Sequence, residues 1–483
     1  MSDDEVFVHG VASGDPTTTG IVLWTRVPLA PGLDAGEAAW SVAASESPDR
    51  VLTAGTSIVE REQDCCVRVV VEGLAPDTRY DYRFTSNGSA SPTGHFRTLP
   101  VDPDQVRFAV VTCAKYNAGY FNAYGNIAKR DDLHFVLHLG DYIYEASNRP
   151  PASQTPGAHI GRDFEPDREC ATLADYRARY AQYRRDPDLA EMHRNHAMIA
   201  TIDDHEIADN AWSGGAQEHD PSISGPWSTR LESALRAWEE WIPSRCRPVS
   251  DGTAIHRELD LGSLARIVVL ETRTQRSDPS DPDPSNRTEL GAAQLDWCCR
   301  SLEGGDRRWT ILASPSVLAP LWSAELDREA SLALRDLKLV EPGSGTAFHD
   351  LWDNYPAERD AILKSLGAAP GQSIVLSGDV HVGFEMELHL NDARVAMEWT
   401  TPSVTSQNLD DKRGWEPRTL SVHYESRVRA ALHNVRWCNF DDHGYLLVTL
   451  ERDNAKAEWW FTENVREATR DERCSYSSWM RHE

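Results

Sequence analysis

Side chains that commonly bind metal ions follow four separate strand-like runs of this 483-residue sequence. Each run is short and apolar, and each is followed within a few residues by a cysteine, an aspartate, a tyrosine or a histidine. In chain order these residues are Cys113, Asp141 with Tyr144, Asp204 with His205, and Asp379 with His381. Because ligands of open α/β sheets bind beyond the carboxyl ends of the strands, the four clusters together favour one metal site.

The spacing within two of these clusters fits shared ligation. A glycine precedes both Asp141 and Asp379 and lets the backbone turn tightly just past the strand. Tyr144 returns to the same side as Asp141 if the chain coils there. In an extended geometry, positions i and i+2 point the same way, so Asp379 and His381 can reach one metal pair.

Each cluster also has a purely structural interpretation. A cysteine at a strand end, such as Cys113, is more often a small buried hydrophobic residue than a ligand. Asp141 could cap a helix, and the run Asp203–Glu206 could be a solvated loop. Four consecutive ionisable residues are costly to bury unpaired, however, so a cation is a natural partner for them. The occurrence of all four clusters in one chain favours the metal site.

The first hundred residues predict an all-β region. Short β-rich runs separated by Gly, Pro and Asp lie at 20–25, 38–42, 66–71 and 80–84. The segment Gly73–Phe84 resembles the E–F corner of a fibronectin type III sandwich, in which a tyrosine hydroxyl ties the corner to the backbone. Two prolines in Leu99–Asp104 predict a linker between an N-terminal sandwich domain, 1–100, and a catalytic domain, 105–483.

The pattern changes at Val106 to alternating strands and helices. Buried strands are predicted at 106–111, 133–139, 197–202, 265–270, 309–313 and 373–376. Helices are predicted at 121–130, 173–183, 229–241, 292–302 and 357–366. A strand, a helix and a second strand within about 30 residues form a βαβ unit with buried strands. The second region is therefore expected to be α/β or α+β.

Charge and composition argue against several partners. The formal net charge of −27 disfavours binding to nucleic acid or anionic membranes, although bound cations can invert the sign locally for an anionic substrate. No apolar run approaches the roughly 20 residues of a membrane-spanning helix. The nine cysteines form no CxxC pair and no dense framework. One or two disulfides stay open, but a disulfide scaffold is not expected.

Set in order, the clusters resemble the calcineurin-like metallophosphoesterases, and specifically the PhoD-like alkaline phosphatase and phosphodiesterase family. Other matching segments are 8–16, 22–26, 173–177, 272–273, 352–356 and 401–406. The resemblance implies a metallophosphoesterase β-sandwich core flanked by helices, preceded by a fibronectin III-like all-β sandwich. The sequence departs from the family at His433-Asn434 and at Glu271, where relatives tend to carry Asn-Pro-His and an aspartate.

The resemblance implies an iron site with Asp141 as its bridge to a second metal. Tyr144 is expected to be an iron ligand, Cys113 falls where the first ligand on the iron side is expected, and His381 completes that side. A thiolate, a phenolate and an imidazole together suit Fe³⁺ better than Ca²⁺ or Mg²⁺, which prefer oxygen ligands.

The second implied site consists of oxygen ligands. Asp204 and Asp379 replace neutral ligands of many relatives, and together with Asp141 they form a hard, anionic site that favours Ca²⁺ over Zn²⁺. The additional carboxylate charge needs further cation to offset it. The site is therefore expected to hold either one Ca²⁺ or two. Asn210 would be a ligand of the second Ca²⁺.

The resemblance implies metal-dependent hydrolysis of phosphate monoesters, diesters or both, with a small-molecule phosphoester as substrate. Metals would hold the phosphoryl oxygens and orient a metal-bound oxygen nucleophile for in-line attack. Beside Asp204, His205 would protonate the leaving alkoxide or hydrogen-bond a phosphate oxygen, unless it only holds Asp204 or Glu206 in place. Arg162 and Arg273 would contact phosphate, unless they pair with carboxylates or solvate a surface.

Two other functions stay open. The first is a phospholipase D-type activity, for which an apolar groove could be lined by Trp212, Trp227, Trp238, Trp241 and Trp322. These tryptophans could equally belong to the core. The second is a binding protein with a degenerate enzyme domain, which is disfavoured because no expected ligand is replaced by an inert residue.

Localisation and assembly are less constrained. The resemblance implies a periplasmic or extracellular protein, but Met1–Glu5 is acidic and lacks the basic and apolar regions of a signal peptide. Either the protein stays in the cytoplasm or this sequence starts at the mature end. The oligomeric state is not predicted.

Overall fold

Three β-sheets organise the chain in a computed structural model that describes residues 6–148, 160–217, 219–283, 286–323, 325–337, 339 and 351–482. The sheets contain nine, seven and five strands. Among the described helices, none is long and apolar enough to span a bilayer.

The N-terminal strands are β1 (Val11–Gly14), β2 (Gly20–Arg26), β3 (Ala35–Ala44), β4 (Val51–Glu60), β5 (Cys66–Glu72), β6 (Arg79–Ser86), β7 (Ser89–Ala90) and β8 (Gly94–Arg97). The five-stranded sheet consists of β3, β4, β6, β7 and β8. Alternate residues of β6, namely Tyr80, Tyr82 and Phe84, are buried, as expected for a strand with one face on a core. The Tyr80 hydroxyl accepts a hydrogen bond from the Ala75 N–H at 2.8 Å, so the predicted tyrosine corner is present.

The nine-stranded sheet joins the two parts of the chain. Its further strands are β9 (Gln105–Val111), β10 (Phe135–His138), β11 (Ala197–Ala200), β19 (Gly444–Glu451), β20 (Asn454–Thr462) and β21 (Glu472–Arg481). The strand order is β21-β20-β19-β9-β10-β11-β1-β2-β5. The strands β9, β10 and β11 are parallel neighbours, and β1 pairs in parallel with β11. Because three N-terminal strands extend this sheet, the division into domains at residues 100 and 105 stays a prediction.

The seven-stranded sheet faces the nine-stranded sheet. Its strands are β12 (Arg257–Leu261), β13 (Ala265–Val269), β14 (Trp309–Ala313), β15 (Gln372–Ser377), β16 (Gly383–Leu390), β17 (Ala393–Thr400) and β18 (Val435–Asn439). The strand order is β12-β13-β14-β15-β17-β16-β18. One continuous buried cluster includes side chains of both sheets, among them Val110, Leu137, Ile311 and Leu376. The two sheets therefore form the predicted β-sandwich core.

Helices cover the outer faces of the sandwich. They are α1 (Asn122–Ala128), α2 (Leu173–Arg184), α3 (Pro187–Asn195), α4 (Pro221–Ser224), α5 (Trp227–Trp241), α6 (Gly291–Glu303), α7 (Arg328–Asp336), α8 (Pro356–Ala368), α9 (Leu409–Arg413) and α10 (Ser421–Ala431). The start of α2 is fixed by Thr172, whose side chain accepts the Asp175 N–H in a capping box. The start of α3 is fixed by the Asp186 side chain and by Pro187 at the first helical position.

The predicted elements agree with those of the structure apart from shifts of one to two residues at most ends. The predicted strand 309–313 coincides with β14, and the predicted helix 173–183 becomes Leu173–Arg184. All nine cysteines lie in the described part of the chain and are free thiols. The two disulfides that the sequence left open are therefore absent from these residues.

Candidate metal centre

The four predicted clusters meet at one edge of the sandwich. Three of them follow the adjacent parallel strands β9, β10 and β11 of the nine-stranded sheet, and the fourth follows β15 of the facing sheet. Potential ligand atoms form two groups, and the atoms within each group all lie within 4.8 Å of one another. One group is Cys113, Asp141 and His381, and the other is Asp141, Asp204 and His205. Asp141 belongs to both groups, as a bridging carboxylate would.

The backbone of these loops is held in an unusual conformation. The φ angles are +57° at Cys113, +57° at Asp141, +70° at Asp379 and +63° at His381. Left-handed backbone at a non-glycine residue costs about 1–3 kcal/mol and persists only where the surroundings impose it. The extended geometry predicted for Asp379 and His381 is therefore wrong, because both residues lie in left-handed turns rather than on a continuing strand. Both nevertheless line the same cavity.

Cys113, Tyr144 and His381 converge on Asp141 in the first group. The Tyr144 hydroxyl donates to Asp141 Oδ2 at 2.8 Å, and Cys113 Sγ lies 3.4 Å from the same oxygen. His381 Nε2 lies 3.4 Å from the Tyr144 oxygen. The chain coils after Asp141 and returns Tyr144 to it, as the sequence predicted. Sulfur, phenol oxygen and imidazole nitrogen thus surround one carboxylate oxygen.

Two residues of the loop after β17 orient this first group. The Ser406 hydroxyl donates to the Tyr144 oxygen at 2.6 Å. The backbone carbonyl of Gln407 lies 2.9 Å from His381 Nδ1, which fixes that nitrogen as the donor and leaves Nε2 as the ligand atom. No role for Ser406 or Gln407 was predicted, although 401–406 is among the segments that carry the resemblance.

Burial shifts the pKa values of this group towards the neutral forms. Burial and the nearby Asp141 raise the pKa of both Cys113 and Tyr144 well above the ordinary values. Burial likewise raises the pKa of Asp141 and lowers that of His381. A thiolate, a phenolate and a carboxylate so close together need a cation to offset their charge. The donor set therefore fits a metal ion.

Carboxylate oxygens dominate the second group. Asp204 is buried, and its Oδ2 accepts the Asn210 N–H at 2.6 Å. Asp379 and Asn210 line the same cavity as Asp204. The Asn210 side chain, however, donates to the side-chain oxygen of Gln217. The backbone of Asn210 thus positions Asp204, whereas its predicted role as a calcium ligand stays a prediction.

Glu206 holds the loop that carries Asp141. Its carboxylate accepts the backbone N–H groups of Asp141 at 2.9 Å, Tyr142 at 2.5 Å and Asp203 at 2.7 Å. The side chain is buried, and burial raises its pKa to about 8. Glu206 therefore connects the loop after β10 with the loop after β11. The sequence showed this residue as part of an acidic run but did not indicate its partners.

His205 is held between one acidic side chain and one aromatic side chain. Its Nδ1 lies 2.7 Å from Glu145 Oε2, and its ring packs on the Tyr144 ring with 4.0 Å between centroids. Burial alone would lower the pKa of His205, but the carboxylates of Asp204 and Glu145 raise it well above the ordinary value. The imidazole therefore lies at the cavity wall with its Nδ1 on a carboxylate. Glu145 adjoins Tyr144 in sequence and was missed as the partner of His205.

The structure pairs both predicted arginines with carboxylates, the alternative that the sequence left open. Arg162 pairs with Asp186 at 2.8 Å and stacks over the Tyr116 ring at 3.9 Å, outside the described cavity lining. Arg273 is fully buried, with its guanidinium on Asp203 and 3.9 Å from Asp204. Arg273 therefore lies beside Asp204, and neither arginine is among the described residues that line the cavity, so their contacts with phosphate stay a prediction.

The cavity beside the metal ligands has a volume of about 300 Å³. Its lining combines the ligand residues with Lys115 and Lys412, and an apolar wall is formed by Leu337, Leu339 and Leu351. Of the five tryptophans considered for a lipid groove, Trp238 and Trp241 are fully buried in the core. The described lining contains none of the five.

Comparisons with known proteins agree with this geometry. A family model described as the PhoD-like phosphatase matches residues 108–459, and a model of the PhoD-like phosphatase N-terminal domain matches residues 1–100. Alkaline phosphatase D of Bacillus subtilis (strain 168) is 32% identical over 435 residues, which cover 84% of this chain and 71% of that protein. A solved structure of PhoD has 28% sequence identity and a TM-score of 0.84, with 98% of this chain and 90% of that chain covered. The chain belongs to the PhoD-like phosphatase family of phosphoric ester hydrolases.

Proposed function

We propose that this enzyme hydrolyses small phosphate monoesters and diesters with Fe³⁺ and Ca²⁺, which would be held by two ligand groups that share Asp141. The observation that carries the proposal is the position of Asp141 in both ligand groups. One group has the Cys113 sulfur and the His381 imidazole, with the Tyr144 hydroxyl on Asp141, and the other has the Asp204 carboxylate beside His205. The softer donors of Cys113 and His381 suit iron, and the carboxylates of Asp204 and Asp379 suit one or two calcium ions.

The bound cations would supply positive charge that offsets the charge on the phosphoryl oxygens. The protein holds its own groups around that position. Glu206 fixes the loop of Asp141 through three N–H groups, and Ser406 and Gln407 orient Tyr144 and His381. His205, which is oriented by Glu145 and lines the cavity, would give its Nε2 proton to the leaving alkoxide.

Elemental analysis and colour test the metal assignment. Protein purified without chelators should contain iron and calcium, and a tyrosinate–iron(III) charge-transfer band should be visible. Tyr144→Phe should abolish the band, whereas Phe substitution at Tyr120, a tyrosine outside the ligand groups, should leave it unchanged. Full activity in a colourless, iron-free preparation would contradict the iron assignment and leave the hydrolase assignment intact.

A substrate panel tests the proposed specificity. The wild-type enzyme should hydrolyse p-nitrophenyl phosphate or bis-p-nitrophenyl phosphate, or both. The three leucines on the cavity wall leave room for an apolar leaving group, so phosphatidylcholine belongs in the same panel. Turnover of the lipid alone would replace the proposed function by a phospholipase D-type activity.

A further inference from the structure

We propose that Lys115 and Lys412 contact the phosphoryl oxygens of the substrate and set a preference for dianionic monoesters over monoanionic diesters. This inference rests on the proposed function. Both lysines are half-buried and line the cavity that also contains Asp141, Asp379 and His381. They bring two positive charges to a protein whose formal net charge is −27.

Lys115 is held close to the first ligand group. It follows Cys113 by two residues, and its ammonium nitrogen lies over the Tyr144 ring, 5.6 Å from the centroid. Its backbone carbonyl accepts the Thr405 hydroxyl at 2.8 Å and the Ala118 N–H at 3.1 Å. The backbone of Lys115 is therefore fixed to the loop after β17.

Lys412 approaches from the opposite sheet. It lies on α9, whose N-terminus is capped by the Asn408 side chain. The neighbouring Asp411 is bound to buried His443 at 2.9 Å, and His443 lies 3.0 Å from the Ser403 hydroxyl. This network anchors the short helix under the active-site loop. Lys412 and Lys115 thus line the same cavity from different segments of the chain.

The enzyme would distinguish monoesters from diesters by the charge of the substrate. A monoester carries two negative charges at alkaline pH and a diester carries one, so each fixed ammonium stabilises the bound monoester more. Carboxylates that also line the cavity, including Glu145 and Asp209, would otherwise repel the second charge. The positive charges of the lysines would thus offset the negative charges of these carboxylates around the bound phosphoryl group.

The test compares two substrates with the same leaving group, p-nitrophenyl phosphate and bis-p-nitrophenyl phosphate. Lys115→Met and Lys412→Met should each lower kcat/KM for the monoester about tenfold relative to the diester, as expected for one unit charge acting in a partly screened site. The ratio for the wild-type enzyme should fall as sodium chloride rises from about 0.05 to about 0.5 M. Lys412→Arg should retain the preference, and Lys364→Met on the exposed face of α8 should change nothing.

Two further measurements on the Met variants are their metal content and their affinity for inorganic phosphate. The proposal predicts unchanged iron and calcium in both Met variants and a weaker affinity for inorganic phosphate, measured by calorimetry on the metal-loaded protein. Equal losses for both substrates together with loss of metal would mean that the lysines only neutralise wall carboxylates, which overturns the proposal. Wild-type protein that hydrolyses neither ester would refute the proposed function, while unchanged phosphate affinity in the variants would refute the lysine contacts.

Discussion

The two sheets of the sandwich contribute to the metal centre in different ways. The nine-stranded sheet supplies Cys113, Asp141 and Asp204 from the ends of three adjacent parallel strands. The seven-stranded sheet supplies Asp379 and His381 after one strand, together with a second loop after β17 that orients other ligands. The nine-stranded sheet therefore contributes the shared carboxylate and its neighbours, whereas the seven-stranded sheet contributes two further residues and the loop that orients Tyr144 and His381.

This difference shows that the site depends on how the two sheets face each other. The carboxylate of Glu206 connects two loops within the nine-stranded sheet. The contact between Ser406 and Tyr144, by contrast, crosses from one sheet to the other. Substitutions of ligand residues should therefore remove metal and activity in either sheet, whereas substitutions in the loop after β17 should mainly change the orientation of groups that stay present.

The largest effect is expected for Asp141→Asn in the nine-stranded sheet. Loss of the carboxylate shared by both ligand groups should lower kcat/KM by about a thousandfold or more, since bound metals supply several kcal/mol of charge stabilisation. Elemental analysis should show less of both metals. The exposed Asp453→Asn serves as the control. Unchanged metal content with normal activity would show that Asp141 is no bridge.

His205→Asn should have a large effect that depends on the leaving group. Removal of a general acid costs about 10²- to 10⁴-fold when the leaving alkoxide needs a proton. An alkyl phosphate should therefore lose far more kcat than p-nitrophenyl phosphate, whose leaving group needs little protonation. His95→Asn, at an exposed position, is the matched control. Equal losses for both substrates would instead assign His205 the role of holding Asp204.

The sequence predicted the strands that precede the ligand clusters, β9, β10, β11 and β15, but not the contacts between the sheets. The predicted ligand clusters stood directly after apolar runs such as 106–111 and 373–376, and such runs are visible without tertiary information. The partners of Tyr144 and His381 were not visible, because Ser406 and Gln407 are more than 250 and about 25 residues away in sequence. A serine or a backbone carbonyl gains its role only after the sheets have packed.

The partners of two arginines also depended on tertiary contacts. Arg162 and Arg273 were expected to contact phosphate, unless they pair with carboxylates or solvate a surface. Their pairing with Asp186 and Asp203 depends on tertiary neighbours that sequence spacing does not reveal. The left-handed turns at Asp379 and His381 were missed for a related reason. Local pattern suggests an extended chain there, and the surrounding fold imposes the strained conformation.

Ser406→Ala tests the orienting role of the seven-stranded sheet. Loss of the hydroxyl that donates to Tyr144 should weaken iron binding about tenfold and shift the visible band, without removing a ligand. Ser426→Ala on α10, where the hydroxyl bonds only to a helical carbonyl at an exposed position, is the control. A complete loss of iron would mean that the two sheets contribute more equally than we infer.

The smallest effect on the metal centre is expected for the titration of Glu398, which changes the stability of the seven-stranded sheet. Glu398 in β17 is fully buried and accepts the N–H groups of Leu318 and Ala319 at 2.9 and 2.6 Å. Burial raises its pKa to about 7 from the ordinary 4.5. A carboxyl whose folded pKa is raised contributes stability that is fully present below the unfolded pKa and is lost as pH rises through the folded value.

The wild-type protein should therefore lose up to about 3 kcal/mol of unfolding free energy, relative to Glu398→Gln, between about pH 4.5 and pH 8. Denaturant unfolding of both proteins across this range measures the difference, so that the titration of other carboxylates cancels. Asp360→Asn, at an exposed position of α8, should show no such pH-dependent difference from the wild type. Because Glu398 belongs to the seven-stranded sheet only, its titration should weaken the sheet that orients the ligands and leave the contacts among Cys113, Asp141 and Asp204 in place. A pH-independent difference between wild type and Glu398→Gln would show that its carboxyl is already ionised below this range and is stabilised by its two N–H donors.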